Sequence, residues 1–304
     1  MELDTYQKEA QRTDRVPRGD DTEEILALVV PMLGLAGETG QLLSEYKKHL
    51  RDGEAHRLFK ERVREELGDQ LWYLANVANK VGLTLEEIAT ANLEKVKARW
   101  STERTKPLVF DAELPAGERL PRRFEVELCE SEGTNARQVC AVINGKRFGE
   151  ELTDNAYDPD GYRFHDIFHF AYAAVLGWSP TTRALLKRKR KSQPLLDEVE
   201  DGGRAIVIEE GVSALVFDYA RRHRMLKGIK SLDSQLLRTI KGMTSHLEVN
   251  RCTPGEWEEA IVQGFEVWRA IVAARGGRVA VDLDGRRIEY LGPAKAVQIS
   301  ELSQ

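Results

Sequence analysis

GLAGETGQLLSEYKK (residues 34–48) and EELGDQLWYL (residues 65–74) follow one pattern: acids and amides at helical spacing, set among glycines, on segments whose apolar residues recur as in a helix. Residues three and four apart in a helix share a face, so Glu38, Gln41 and Glu45 form one stripe, and Glu66 and Asp69 another. Two such helices packed together bring several carboxyl groups to one spot. Converging carboxylates repel and are costly to desolvate, so a cluster of this kind persists around a cation. The second motif reads ExxD where a di-iron bundle carries ExxH, so every donor on offer is an oxygen. Oxygen donors select hard ions, Mg²⁺ or Mn²⁺. Glycine inside a helix costs about 1 kcal/mol against alanine, so Gly37, Gly40 and Gly68 beside the acids imply close backbone approach or room for a ligand. A solvated helix face accounts for either motif taken alone; the two together, with the glycines and the flanking apolar rows, favour the metal site.

Outward from these motifs, the first hundred residues repeat the helical period. Ile25, Leu28 and Val29 are followed by Leu42, Leu43 and Tyr46, by Leu67, Leu71, Leu74 and Ala78, and by Ile88, Ala91 and Val96, which predicts a bundle of about four or five helices. Thr84 and Glu87 have the spacing of a capping box and place a helix start near Leu85. Beyond Lys106 the texture changes to prolines, glycines and short alternating runs such as RFEVELCE, predicting a linker with a small β-hairpin over 106–160. A second helical block follows over 161–304. It contains FHDIFHFAYAAVL, a short basic helix at TTRALLKRKRK, a longer one from Val199 to His223, and two more at SQLLRTIKGM and EWEEAIVQGFEVWRAI. GRVAVDLDGRRIEYLG closes it as a hairpin turning at Asp284 and Gly285. The expected fold is therefore mainly α: an N-terminal helical bundle over 1–105, the linker, and a second helical domain with a C-terminal hairpin.

Composition narrows the function. With 304 residues the chain is long enough for two ordinary domains, and its net charge of -5 argues against nucleic-acid binding as its main business. No run of apolar residues approaches the roughly 18 that a membrane span needs, and the polar, acidic start does not read as a signal peptide, so the expected location is cytoplasmic, away from membranes. Cys129, Cys140 and Cys252 form no CxxC pair and read as reduced thiols.

The quoted motifs, continued through EELGDQLWYLANVANKVGLTLEEIATANLEKVKARW (residues 65–100), resemble the MazG family of all-α nucleoside triphosphate pyrophosphohydrolases, relatives of the dimeric dUTPases. The resemblance runs from about Tyr6 to Trp100. It implies magnesium-dependent hydrolysis of a nucleoside triphosphate to the monophosphate and pyrophosphate, with water activated among the metals attacking the α-phosphorus. It implies metal ligands and catalytic acids at Glu38, Glu66 and Asp69. The remaining ligand position, usually Glu, is Gln41 here. An amide oxygen can ligate a cation but brings no charge and cannot act as a base; Glu45 or Glu65 stand near enough in sequence to compensate. Lys47, Lys48, Asn92, Lys95 and Arg99 correspond to phosphate contacts, often supplied across a subunit interface, so a homo-oligomer is expected. Trp72, with Tyr73, can stack on a base or pack in the core. Two rival readings follow: hydrolysis of an alarmone or modified nucleotide, and, from Gln41, a nucleotide-sensing scaffold whose hydrolase site has lapsed.

The second half offers a weaker signal. His165 and His169 lie four apart with Asp166 alongside, a spacing that can hold a metal and that is similar to the HD phosphohydrolases, although their further His and Asp motifs are not found. Glu198 and Asp201 repeat the ExxD spacing, and Glu209 and Glu210 form an adjacent acidic pair. The basic run Lys187 to Lys191 reads as a solvated helix end.

Overall fold

The computed structural model describes residues 1–15, 21–100, 108–133 and 136–294, the side chains of 21–26 and 98–100 excepted. The chain divides into two compact units, Met1–Lys97 and Ala98–Gln304.

The first unit is built from α1 (Leu3–Arg12), α2 (Asp21–Asp52), α3 (Phe59–Lys80) and α4 (Leu85–Trp100). The four helices among the described residues match the expected bundle of about four or five. Its buried apolar cluster is small: Ala10, Ala75, Ala78 and Leu85, with Leu3, Tyr6, Trp72 and Ile88 packed against it. Gln7 ties the ends together, donating from Nε2 to Asn79 Oδ1 at 2.7 Å and to the Leu83 carbonyl at 2.9 Å, and accepting from the Leu85 amide at 2.6 Å. The capping box stands at the expected place, with the Thr84 amide donating to Glu87 Oε2 at 2.8 Å and the Glu87 amide to Thr84 Oγ1 at 3.0 Å.

Helix α2 departs from expectation in one respect. Within it and the turn that follows, Ala27–Ala55 is by length and composition long and apolar enough to cross a membrane, and almost none of its most apolar part is buried. The sequence expectation counted uninterrupted apolar runs, and Glu38, Gln41 and Glu45 interrupt this one without lowering its average enough to matter. Leu33, Leu43 and Leu50 on α2 are 66%, 64% and 70% exposed, so this unit alone does not bury its apolar stripe.

In the second unit the expected linker hairpin and the C-terminal hairpin are both present and belong to one sheet. β1 (Arg123–Glu132), β2 (Arg137–Ile143) and β3 (Lys146–Leu152) join β4 (Gly276–Asp282) and β5 (Arg287–Gly292) in one sheet, ordered β3-β2-β1-β4-β5. Every pairing is antiparallel, and the long-range one sets Val126 opposite Val279 and Phe124 opposite Val281. Short alternating runs betray strands but not their distant partners, so the union of 123–152 with 276–292 could not be read locally. The final hairpin does turn at Asp284 and Gly285, where the Gly285 amide donates to Asp282 Oδ1 at 2.8 Å.

Between the strands run α5 (Asp166–Leu176), α6 (Pro180–Leu185), α7 (Pro194–Val199), α8 (Gly203–Arg222), α9 (Ser234–Met243) and α10 (Pro254–Ala274). Ten consecutive residues of α5, Ile167 to Leu176, are buried, so this helix is apolar on all sides because it lies inside the core. Gly177 ends it with a left-handed φ of 70°, and the Leu108 carbonyl lies 2.4 Å from where a Cβ would stand. Gly264 of α10 packs on α5 less tightly, Ala171 lying 3.1 Å from its absent Cβ. The basic run is only partly solvated: Lys187 and Lys191 are exposed, but Arg190 is not. Arg190 is fully buried, donating to Asp201 at 2.7 Å and lying 2.7 Å from Glu248, while Arg183 donates to Asp111 at 2.6 Å. Asp201 is thus an internal counter-ion, not part of a second acidic helix face.

Candidate functional site

α2 and α3 bring the two acidic stripes together. Glu66 of α3 is 8% exposed, and Glu38 of α2 stands close enough for its charge to bear on the Glu66 carboxyl. Burial pushes the Glu66 carboxyl up from the ordinary range, and Glu38, Glu65 and Asp69 push it the same way. Gln41 Nε2 donates to Glu38 Oε2 at 2.9 Å, one turn along α2, and Gln70 of α3 reaches the Glu38 carbonyl at 3.4 Å. Asp69 is exposed and sits near Tyr6, whose hydroxyl is raised first by burial and then by the Asp69 charge.

The glycines divide into two kinds. A Cβ at Gly34 would stand 2.2 Å from the Tyr73 ring, so Gly34 is where α2 and α3 approach, while Gly37, Gly40 and Gly68 have nothing within 4 Å of a Cβ position. The close-approach residue was inside the quoted motif but unmarked, since only its partner across the interface distinguishes it. The three glycines beside the acids leave open space.

The expected auxiliary residues are placed less uniformly. Glu45 is held by Lys48 and by His56 Nε2 at 3.2 Å, and Glu65 by Arg62 at 2.8 Å, so neither replaces the missing acid at Gln41. Lys48 is thereby paired away, whereas Lys47 is exposed. Trp72 packs against the small core, meets Tyr73 edge-on at 5.0 Å and donates from Nε1 to Thr13 Oγ1 at 2.7 Å, which makes it a packing residue rather than an open stacking platform. Asn92 and Lys95 are exposed on α4, and among the described residues no hydrogen bond or ion pair ties them to the acidic pair. Arg99 has its side chain outside the described residues.

The second-half residues do converge. His165, at the start of α5, and Asp166 and His169 in its first turn offer ligand atoms that all lie within 4.8 Å of one another. α8 supplies Glu209, 3.0 Å from His169 Nδ1, and Glu210, 3.2 Å from His169 Nε2. Burial lowers the His165 pKa and raises that of Asp166. For His169 burial works against the charged form, yet Glu209 and Glu210 carry its pKa well above the ordinary value. Sequence reasoning missed Ser179, which donates to Glu209 Oε1 at 2.6 Å, and Tyr162, stacked on His165 at 4.5 Å between ring centres. The Ser-Pro pair at 179 and 180 is a helix-start signal, and it does cap α6, but its second bond is visible only in three dimensions.

Comparison with known proteins agrees with this division. Residues 31–102 match the MazG nucleotide pyrophosphohydrolase domain, and residues 105–294, well over half of the chain, match the MazG C-terminal domain. The chain belongs to the MazG family. Its N-terminal unit carries the pyrophosphohydrolase domain, which spans Glu38, Gln41, Glu66 and Asp69, and the part of the chain that sequence reading left without a family is a MazG C-terminal domain. The MazG family is typically metal-dependent. The chain is also similar to the Gene 37 protein of Mycobacterium phage L5, 35% identical over 101 residues, 33% of this chain and 89% of that protein. No solved structure matches.

Proposed function

We propose that this MazG chain hydrolyses a nucleoside triphosphate to the monophosphate and pyrophosphate, using Mg²⁺ or Mn²⁺ held between α2 and α3. The observation that carries the reading is the buried Glu66 of α3 set beside α2 at Glu38, whose carbonyl accepts from Gln70 of α3 at 3.4 Å, inside the matched pyrophosphohydrolase domain. Neighbouring carboxyl groups, one of them buried, are unfavourable with both ionised, and a divalent ion relieves that repulsion while matching the all-oxygen donor set. Glu38, Glu66 and Asp69 would hold the ion, with the Gln41 amide oxygen as a neutral fourth donor once its side chain turns from Glu38. The ion, when bound, supplies positive charge to the triphosphate and acidifies water. The chain's own part is to position: the open space beside Gly37, Gly40 and Gly68 admits the phosphates, and Lys47, Asn92 and Lys95 offer exposed donors for them.

The exposed apolar side chains of α2, Leu33, Leu43 and Leu50 among them, support assembly of the N-terminal unit with a second copy, which would also bring phosphate-binding residues of α4 to the acids. A nucleotide substrate fits a cytoplasmic location. A second reading has one observation in its favour. Gln41 adds no charge and occupies an oxygen of Glu38, which weakens the site for cations and favours nucleotide binding without turnover.

The full chain with Mg²⁺, offered a panel of nucleoside triphosphates and alarmones, is expected to form pyrophosphate and a monophosphate from at least one triphosphate. Orthophosphate as the first product would place cleavage at another bond and overturn the reading; tight binding with no product would select the sensor instead.

A further inference from the structure

The cluster at the start of α5 is arranged differently from the acidic pair, and the nitrogen atoms are what distinguish it. His165 Nδ1 lies 2.9 Å from the Tyr162 carbonyl. A carbonyl only accepts, so Nδ1 carries the proton and the Nε2 lone pair faces the cluster. That Nε2 is 3.9 Å from Asp166 Oδ1 and 3.8 Å from Glu210 Oε2. His169 uses Nδ1 on Glu209, and Glu209 is itself fixed by Ser179 Oγ at 2.6 Å and by the Thr181 amide at 2.8 Å. Its Nε2 therefore also points inward. His169 is 0% exposed, and among the described residues its Nε2 makes no hydrogen bond of good geometry, its one close neighbour being Glu210 Oε1, paired with it at 3.2 Å. A buried ring nitrogen without a hydrogen bond is rare in a folded protein and calls for a ligand.

A charged His169 clamped between Glu209 and Glu210 would explain that residue alone. It leaves two observations unexplained: the Nε2 of His165 directed into the same space, and the placing of Asp166 and Glu210 around it. One cation at the centre satisfies all four side chains. The Glu209 carboxylate behind His169 is the orienting partner that metal-bound imidazoles ordinarily have.

We propose that His165, Asp166, His169 and Glu210 form a binding site for a divalent transition-metal ion, with Glu209 as the positioning residue of His169. Two imidazoles and two carboxylates suit Mn²⁺, Fe²⁺, Co²⁺ or Zn²⁺ rather than Mg²⁺. The site closes on the His169 side and opens on the Glu210 side, where the side chain is 38% exposed, leaving a position for water or an anionic ligand. It shares no residue with the α2 and α3 acids and does not rest on the pyrophosphohydrolase reading.

The test titrates the chelator-stripped full chain with Co²⁺ alone. One equivalent is expected to bind with visible absorption bands of nitrogen ligation. Glu66→Ala should retain them. His165→Gln and Glu210→Gln, at the open rim and with circular dichroism unchanged, should each weaken binding by about 10-fold or more, and Glu209→Gln by a comparable factor through His169. Should these variants fail to fold, pulsed electron paramagnetic resonance of the Mn²⁺-loaded wild-type chain must show coupling to imidazole nitrogen. Absence of nitrogen coupling, or Co²⁺ binding that survives His165→Gln and Glu210→Gln unchanged, overturns the site.

Discussion

Gly34 and Gly68 sit in matching acidic motifs, yet they answer to different forces. A Cβ at Gly34 would stand 2.2 Å from the Tyr73 ring, so Gly34→Val is expected to destabilise the N-terminal unit by about 1–3 kcal/mol, measured by chemical denaturation. Gly68 has open space, and Gly68→Ala should raise stability by up to about 1 kcal/mol through helix propensity. If that space receives phosphates, the same substitution should raise KM. A loss of stability from Gly68→Ala, or its absence from Gly34→Val, would contradict this division. At this scale the sequence was informative wherever the chemistry is local: the acids at helical spacing, the Thr84–Glu87 box and the Asp284–Gly285 turn all depend on neighbours along the chain. Gly34, Gln7 and Ser179 were not legible as what they are, because each gains its role from a partner 30 to 78 positions away.

Among the elements, the segment between α6 and α8 shows charge working inside a core. Two guanidiniums, Arg183 and Arg190, face four carboxyl groups, those of Asp111, Asp201, Glu200 and Glu248. Asp201→Ala removes the acid that holds the Arg190 fork and that also faces Arg183, leaving Arg190 only Glu248, and is expected to cost about 3 kcal/mol, the lower end of the scale for breaking one side of a buried ion pair. With acids in excess, burial pushes Glu248 up to about 7, only partly countered by Arg190. The folded state then holds this proton more tightly than the unfolded chain does. The associated stability is complete below Glu248's ordinary 4.5 and is lost as pH rises through about 7. Denaturation midpoints taken from pH 4.5 to 8 should therefore carry a falling component that Glu248→Gln removes; an unchanged profile in that variant would refute it. A run of five basic residues reads as solvated on local evidence, since the acids that bury Arg190 lie outside it.

At the level of the whole chain, the fold class and the N-terminal bundle were legible because periodicity reports helices directly. The five-stranded sheet was not: strands 123–152 and 276–292 are separated by six helices, and alternation alone names no partner. The exposed apolar stripe of α2 belongs to this scale too. If a second copy covers it, sedimentation of the full chain should show concentration-dependent self-association, and Leu43→Glu should shift it toward monomer. A monomer at all concentrations would leave the stripe uncovered and remove the support for a shared site. The most direct test of the central claim is pyrophosphate release from nucleoside triphosphate by the full chain in Mg²⁺, wild type against Glu66→Ala. The oxygen cage between α2 and α3 predicts a fall of about 100-fold or more, the scale of removing one electrostatic group from a reacting centre. Release at the wild-type rate by Glu66→Ala would contradict it.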